Sequence, residues 1–249
     1  MAGEWLTRMG SRDRISTGNR ACSMVGRGGG GAGLSLRCVL FDFDFTLADS
    51  SDPITRCVRH ALTAVDGPAP TDHEILRTVG LTLPEMFRRL APGHDHDRLA
   101  ALFIEKAEEI MVEGTKVYNE VPEVLDSFKA AGVMTGIVST KLRRRIERIL
   151  ADSGLLPAFD VIVGAEDVTR HKPHPDALLH AMSALGVGRH EALYVGDSLV
   201  DAETAQRAGA LFCAVLHGMT CPEEFRPYSP ISVVSDLREI VPVLTRQSA

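Results

Sequence analysis

Arg37-Cys-Val-Leu-Phe-Asp-Phe-Asp-Phe-Thr-Leu, residues 37–47, sets an apolar run of strand length directly against two carboxylates. A short continuous apolar run that ends in acids reads as a buried parallel strand with its polar groups at the carboxyl end. The pattern then changes period. From residue 53 to about 115, helical stretches at 56–65, 73–79, 83–90 and 97–112 are separated by Gly-Pro, Gly80 and Pro-Gly punctuation, which predicts a helical insertion without strands. Beyond it strand and helix alternate: helix 121–131, strand 133–139, helix 142–153, strand 159–163, helix 173–185, strand 192–195, helix 200–208 and strand 211–216. A short strand at 231–234 and a helix at 237–244 close the chain. Such alternation predicts an α/β fold, a doubly wound parallel sheet with helices on both faces, which binds ligands beyond the carboxyl ends of its strands.

The rest of the chain bounds the function classes. At 249 residues with 45% hydrophobic and 24% charged side chains, it is long enough for a sizeable core and average for a soluble protein. No apolar run reaches the roughly 18 residues of a membrane span. Net charge is −6, and five arginines against Glu4 and Asp13 give residues 1–36 a charge of +3, which leaves −9 on the remainder. An acidic body of that kind is a poor partner for nucleic acid. Residues 1–36 lack helical and strand periodicity and contain the glycine-rich run Gly28–Gly33, so they read as a disordered arm. Two acids and the glycine run spoil the amphipathic pattern of a transit peptide. That run also precedes a strand instead of following one, the wrong order for a nucleotide-binding loop. Five widely spaced cysteines with no CxxC pair predict reduced thiols and a cytoplasmic location.

Chemically loaded residues cluster where the predicted strands end. Asp42, Asp44 and Thr46 follow the first, Ser139 and Thr140 the second, Lys172 the third with its loop, and Asp197 with Asp201 the fourth. A lone Asp after a strand is ordinarily a helix cap or turn former. Four strand ends loaded in this way are poorly explained by independent capping. Together they offer carboxylates, an ammonium and hydroxyls that can hold a hard divalent cation against a phosphoryl group.

Four motifs resemble those of the haloacid dehalogenase-like hydrolase superfamily, in its phosphoglycolate phosphatase and pyrophosphatase branch. They are Val39-Leu-Phe-Asp-Phe-Asp-Phe-Thr-Leu-Ala-Asp-Ser, Gly136-Ile-Val-Ser-Thr-Lys, His171-Lys-Pro-His-Pro-Asp and Val195-Gly-Asp-Ser-Leu-Val-Asp. The resemblance runs from Arg37 to about Leu244. It implies a core of residues 37–52 and 117–249, with residues 53–116 as a small α-helical cap inserted after the first strand. It also implies a Mg2+-dependent phosphatase of a small phosphorylated metabolite, phosphoglycolate-like or a sugar phosphate, acting as a monomer or homodimer without nucleic acid or membrane partners. By the same resemblance Asp42 is the nucleophile that forms an aspartyl-phosphate. Asp44 protonates the leaving oxygen and then deprotonates water. Mg2+ is held by the Asp42 carboxylate, the Asp44 carbonyl and Asp197. Ser139, Thr140 and Lys172 bind phosphate, Lys172 also serving the chemistry, and Asp201 orients Lys172 or a metal-bound water. Thr82, in the turn Gly80-Leu-Thr-Leu-Pro, and nearby Arg88 or Arg89 are the cap's candidates for reading the substrate. Where the family usually has glycine this chain has Phe45, which predicts a local conformation that a bulky residue can adopt.

Other residues carry plainer expectations. Lys141, Arg143, Arg144 and Arg145 open a helix and read equally as a solvated face or as a source of anion attraction. His94 and His96 read as an exposed loop, His171 and His174 as shaping the Lys172 loop, and Asp49 and Asp52 as turning the chain into the first inserted helix. Three functions fit: the phosphatase, a phosphosugar mutase or inorganic pyrophosphatase of the same superfamily, and, from another class, a response-regulator-like signalling module. Such a module keeps its phosphorylated Asp on an interior strand and lacks a helical insertion after the first.

Overall fold

The computed structural model describes residues 36–242. All of the predicted arm but Leu36 lies outside them, as does the end of the last predicted helix. Strand β1 (Cys38–Phe41) is central to a six-stranded parallel sheet ordered β5-β4-β1-β6-β7-β8, where β4 is Met134–Val138, β5 Val161–Val163, β6 Ala192–Gly196, β7 Leu211–Val215 and β8 Ser232–Val234. Cys38 pairs with Met134 on one side and Ala192 on the other, and Phe41 with Ile137 and Val195. The chain therefore winds outward from β1 in both directions, and the crevice where the order reverses lies at the carboxyl ends of β1, β4 and β6.

All four β1 side chains are buried, and their period of two divides them between two cores. Val39 and Phe41 meet Val124 and Phe128 of α5 (Val121–Ala130) and Ile146 and Leu150 of α6 (Arg143–Asp152). Cys38 and Leu40 meet Leu178 of α7 (Asp176–Ala184) and Ala205 of α8 (Leu199–Ala208) on the opposite face. Helices on both faces explain why β1 reads as a continuous apolar run and not as an alternating one. The predicted helix after residue 237 begins as a 3-10 turn at Leu237–Ile240 and becomes helical at Val241 and Pro242.

Four helices lie between β1 and β4 ahead of α5: α1 (Ser51–Thr63), α2 (Asp72–Leu76), α3 (Leu83–Leu90) and α4 (His96–Gly114). They bury a core of their own that includes Val58, Leu62, Met86, Phe87, Leu99 and Phe103. The side chains of Thr71 and Asp95 cap α2 and α4 by accepting from Glu74 N–H and Arg98 N–H. Where the insertion leaves and rejoins the core, β2 (Ala48–Asp49) and β3 (Lys116–Val117) pair antiparallel, Ala48 with Val117 and Asp49 with Lys116. Two-residue strands are too short to show a period, so sequence reading passes over this clasp. No described helix is long and apolar enough to cross a membrane.

Candidate active site

The carboxyl end of β1 continues into the site through one more pairing, Asp42 N–H donating to the Val195 carbonyl at 2.9 Å. The chain then turns sharply, with Leu47 N–H and Ala48 N–H both donating to the Phe43 carbonyl. Phe43 is fully buried in the core and fixes this turn, so Asp42 and Asp44 face the crevice on either side of it. Phe45 completes the turn at φ +59°, which corrects the expectation of an ordinary backbone there. The turn keeps a left-handed geometry that favours glycine, and a phenylalanine adopts it under strain.

Asp42, Asp197 and Asp201, all buried, can bring one carboxylate oxygen each within 4.8 Å of one another. Lys172 answers them, with Nζ 2.8 Å from Asp42 Oδ1 and 2.6 Å from Asp201 Oδ1. Both Asp201 oxygens are committed: Oδ1 to Lys172 and the Tyr194 hydroxyl, Oδ2 to the Ser198 hydroxyl and N–H at the start of α8. Asp201 thus orients Lys172, the first of the two duties expected of it. Asp197 accepts from the Thr46 hydroxyl at 3.3 Å.

Burial pushes the Asp42 carboxyl up to about 6 despite the pull of Lys172. Burial, then the charges of Asp201 and Asp42, push Asp197 well above the usual carboxylate range. For Lys172 burial alone would lower the value, but Asp201 and Asp42 outweigh it and hold the ammonium well above its ordinary range.

With all three carboxylates ionised, the single ammonium would leave two excess negative charges in a buried crevice, the charge of one divalent cation, and without that cation burial and mutual repulsion favour the protonated form of Asp197. A Cβ placed on Gly218 would collide with Asp197 Oδ2, so only glycine lets the chain after β7 pass over that carboxylate. With Asp201 engaged on both oxygens, Asp42 and Asp197 are the pair with oxygen to offer a metal. The Asp44 side chain is absent from this cluster. Its Oδ1 accepts from Lys141 Nζ at 2.8 Å and from the Ser50 hydroxyl, which lies 3.3 Å from Thr115 Oγ1 beside the β2–β3 clasp.

The profile of the haloacid dehalogenase-like hydrolases matches residues 39–215 of this chain. The chain belongs to that family. This hydrolase is similar to N-acetylmuramic acid 6-phosphate phosphatase of Pseudomonas aeruginosa, 31% identical over 86% of this chain and 96% of the relative. It is also similar to pyrophosphatase PpaX of Bacillus pumilus, 32% identical over 83% of this chain and 97% of the relative. Among solved structures, a haloacid dehalogenase-like hydrolase from Bacteroides fragilis superposes with a TM-score of 0.79 at 40% identity, covering 82% of this chain and 99% of that one. The sequence places the hydrolase in the phosphoglycolate phosphatase-like branch, among phosphatases.

The remaining expectations can be set against the geometry. Ser139, buried at the end of β4, accepts from Lys141 N–H at 3.3 Å. Thr140 donates to the Gly80 carbonyl of the inserted segment at 3.4 Å. The Thr82 hydroxyl donates to Glu85 at 2.7 Å in the first turn of α3, and Thr82 lines the same cavity as Asp44. Lys141 and Arg145 are corrections too, since both are buried where a solvated face was one expectation. Lys141 pairs with Asp44, and Arg145 donates to Glu108 and the Ile104 carbonyl of α4. Arg143 and Arg144 are more exposed and pair with Asp167 and Glu108. Asp49 accepts from Ser51 N–H as a turn former, and His174 pairs with Asp176. His94 and His96 are half-buried, which corrects the expectation of an exposed loop, since His96 opens α4 with Nε2 3.3 Å from the Ala91 carbonyl.

Sequence reading assigned no role to Tyr194, Ser50 or Glu108. Tyr194 carried a signal, because a tyrosine inside a wholly buried strand must find a partner for its hydroxyl. Here that hydroxyl reaches the Val138 carbonyl, Asp201 and Lys172.

Proposed function

We propose that this enzyme is a Mg2+-dependent phosphatase that hydrolyses a small phosphorylated metabolite through an aspartyl-phosphate on Asp42. The observation that carries the reading is the division of labour between two carboxylates one residue apart: Asp42 against Lys172 and Asp197, Asp44 held apart by Lys141 and Ser50. A carboxylate oxygen of Asp42 attacks phosphorus while the bond from phosphorus to the ester oxygen breaks, and Asp44 gives that oxygen its proton. Asp44, now ionised, takes a proton from water as the water oxygen attacks phosphorus. The bond to Asp42 breaks and inorganic phosphate leaves. Lys141 and Ser50 both engage Asp44 Oδ1, and Oδ2 is the oxygen we assign to the proton transfers. Lys172 offsets negative charge on Asp42 and the phosphoryl group, and Ser139 supplies a hydroxyl to the phosphoryl oxygens. Asp42, Asp197 and the Asp44 carbonyl would hold Mg2+, which when bound would supply electrostatic stabilisation of the phosphoryl charge.

The helical insertion between β1 and β4 argues against the signalling-module alternative. The mutase alternative differs only in whether water or a sugar hydroxyl accepts the phosphoryl group. Free thiols at Cys38, Cys57, Cys213 and Cys221 agree with the cytoplasmic location we propose.

Turnover of a phosphate ester should vanish in excess EDTA and return with Mg2+. Asp197→Ala should lower kcat by about a thousandfold, since charge stabilisation by a metal accounts for several kcal/mol. Undiminished turnover in EDTA would contradict the metal assignment.

A further inference from the structure

Two cavities flank the carboxyl end of β1, and Val79 and Leu81 line both. Gly80 between them has φ +94°, and a Cβ on it would press on Ser198 Oγ at 3.2 Å. One cavity, of about 800 Å³, reaches Asp197 and is bordered by His73, Arg77 and Arg89. The other, of about 330 Å³, reaches Asp44. The chemistry decides which of them takes the departing group. The ester oxygen must come within hydrogen-bond reach of the carboxyl that protonates it, so the leaving group belongs in the cavity that Asp44 lines.

That cavity is walled chiefly by apolar side chains, among them Ile54, Leu81, Leu83, Met86, Phe103 and Met111. At roughly 30 Å³ for each water-sized group it has room for about ten, and the five non-hydrogen atoms of glycolate leave about half of it unfilled. Its lysine and arginine are already committed. Lys141 is 2.8 Å from Asp44, and Arg145 Nη2 is 2.6 Å from Glu108. Arg88 and Arg89, candidates for reading the substrate, line an outer groove and the larger cavity instead. A second anionic group in the Asp44 cavity would be desolvated with no uncommitted lysine or arginine to meet it, and that cost opposes binding. Thr82, Thr140 and His171 add the cavity's other polar side chains, while the buried Arg145 Nε has no hydrogen-bond partner in the protein and is shut off from the cavity.

We propose that the preferred ester carries an uncharged, predominantly apolar leaving group larger than glycolate. The inference rests on the phosphatase reading and names the substrate class for the same site. A direct probe is 2-phenoxyethyl phosphate, an alkyl ester with an apolar ring and an ether oxygen. It is compared with phosphoglycolate and pyrophosphate, with acetyl phosphate as a small reference. The wild-type enzyme should show a kcat/KM for 2-phenoxyethyl phosphate at least about tenfold above those for phosphoglycolate and pyrophosphate, as burial of an aromatic ring predicts. Ile104 lines this cavity and is 38% exposed, so a charge can be placed there without being buried. Ile104→Lys should lower the ratio of 2-phenoxyethyl phosphate to phosphoglycolate kcat/KM by at least about tenfold. Equal or greater kcat/KM for phosphoglycolate or pyrophosphate in the wild type, with acetyl phosphate turned over, would overturn this inference and leave the phosphatase reading intact. An unchanged ratio in an Ile104→Lys variant that still cleaves acetyl phosphate would do the same. Absence of turnover with every ester would overturn both.

Discussion

Phe45 shows how two opposed effects meet in one residue. Its φ of +59° costs about 1–2 kcal/mol relative to an ordinary backbone, yet its side chain is only 5% exposed. Replacing a buried phenylalanine by a residue with almost no side chain costs roughly 3–5 kcal/mol, so burial outweighs strain. Phe45→Gly should therefore lower unfolding stability by about 2 kcal/mol in chemical denaturation, even though it relieves the backbone. A more stable glycine variant would show that strain dominates the turn. The same residue marks a limit of sequence reading. A bulky side chain in a glycine position suggests a relaxed backbone, but φ is constrained by the turn's own hydrogen bonds, from Thr46, Leu47 and Ala48 N–H to the Phe43 carbonyl and from Phe45 N–H to the Ala48 carbonyl, a pattern that residue type alone does not announce. The gathering of Asp42, Lys172 and Asp197 in one crevice was legible because each follows a strand or its loop. Lys141 was harder to read, since a run of four cations and one leucine at a helix start does not say which of them turn inward.

Among elements, the contact between α4 and α6 ties the inserted helices to the core. Arg145 on α6 is buried and reaches Glu108 and the Ile104 carbonyl on α4, while Arg144 meets the same Glu108. The hydrogen bond from Arg145 lowers the Glu108 carboxyl below its ordinary value of 4.5. A carboxylate depressed in the folded state contributes stability that is present above its unfolded value and is lost as pH falls through the folded one. Glu108 is about half exposed, so solvent screening keeps the pair modest. Glu108→Gln should cost about 1 kcal/mol at pH 7 and less near pH 4, and amide exchange in α4 should quicken before exchange in β1. Equal stability of variant and wild type at pH 7 would mean that the pair is neutral and that packing alone joins the two elements. The tie escaped sequence reading because 37 residues separate its partners and neither sits in a motif. The helices that carry them were legible from their period: α3 was expected at 83–90 and found there, and α4 was expected at 97–112 and runs from His96 to Gly114.

At the scale of the whole molecule, the parallel sheet brings motifs separated by more than 150 residues to one crevice, and the insertion meets the core beside it where Thr140 donates to the Gly80 carbonyl. Order along the chain and the carboxyl ends of strands predicted that gathering, because a doubly wound sheet has one such crevice. The two cavities on either side of residues 79–81 were beyond sequence reading, since their shapes depend on how α1, α3 and α4 pack against the core. The central claim is that Asp42 and Asp44 act at different moments of one reaction. It is tested most directly by mass spectrometry of the acid-quenched protein after mixing with p-nitrophenyl phosphate and Mg2+. The nitrophenolate leaves without a proton, so Asp44→Asn should release a burst of product and then stall with one phosphoryl group added on Asp42. Asp42→Asn should gain none and release no burst. A phosphoryl group on the Asp42→Asn protein, or the same behaviour from both variants, would contradict the account.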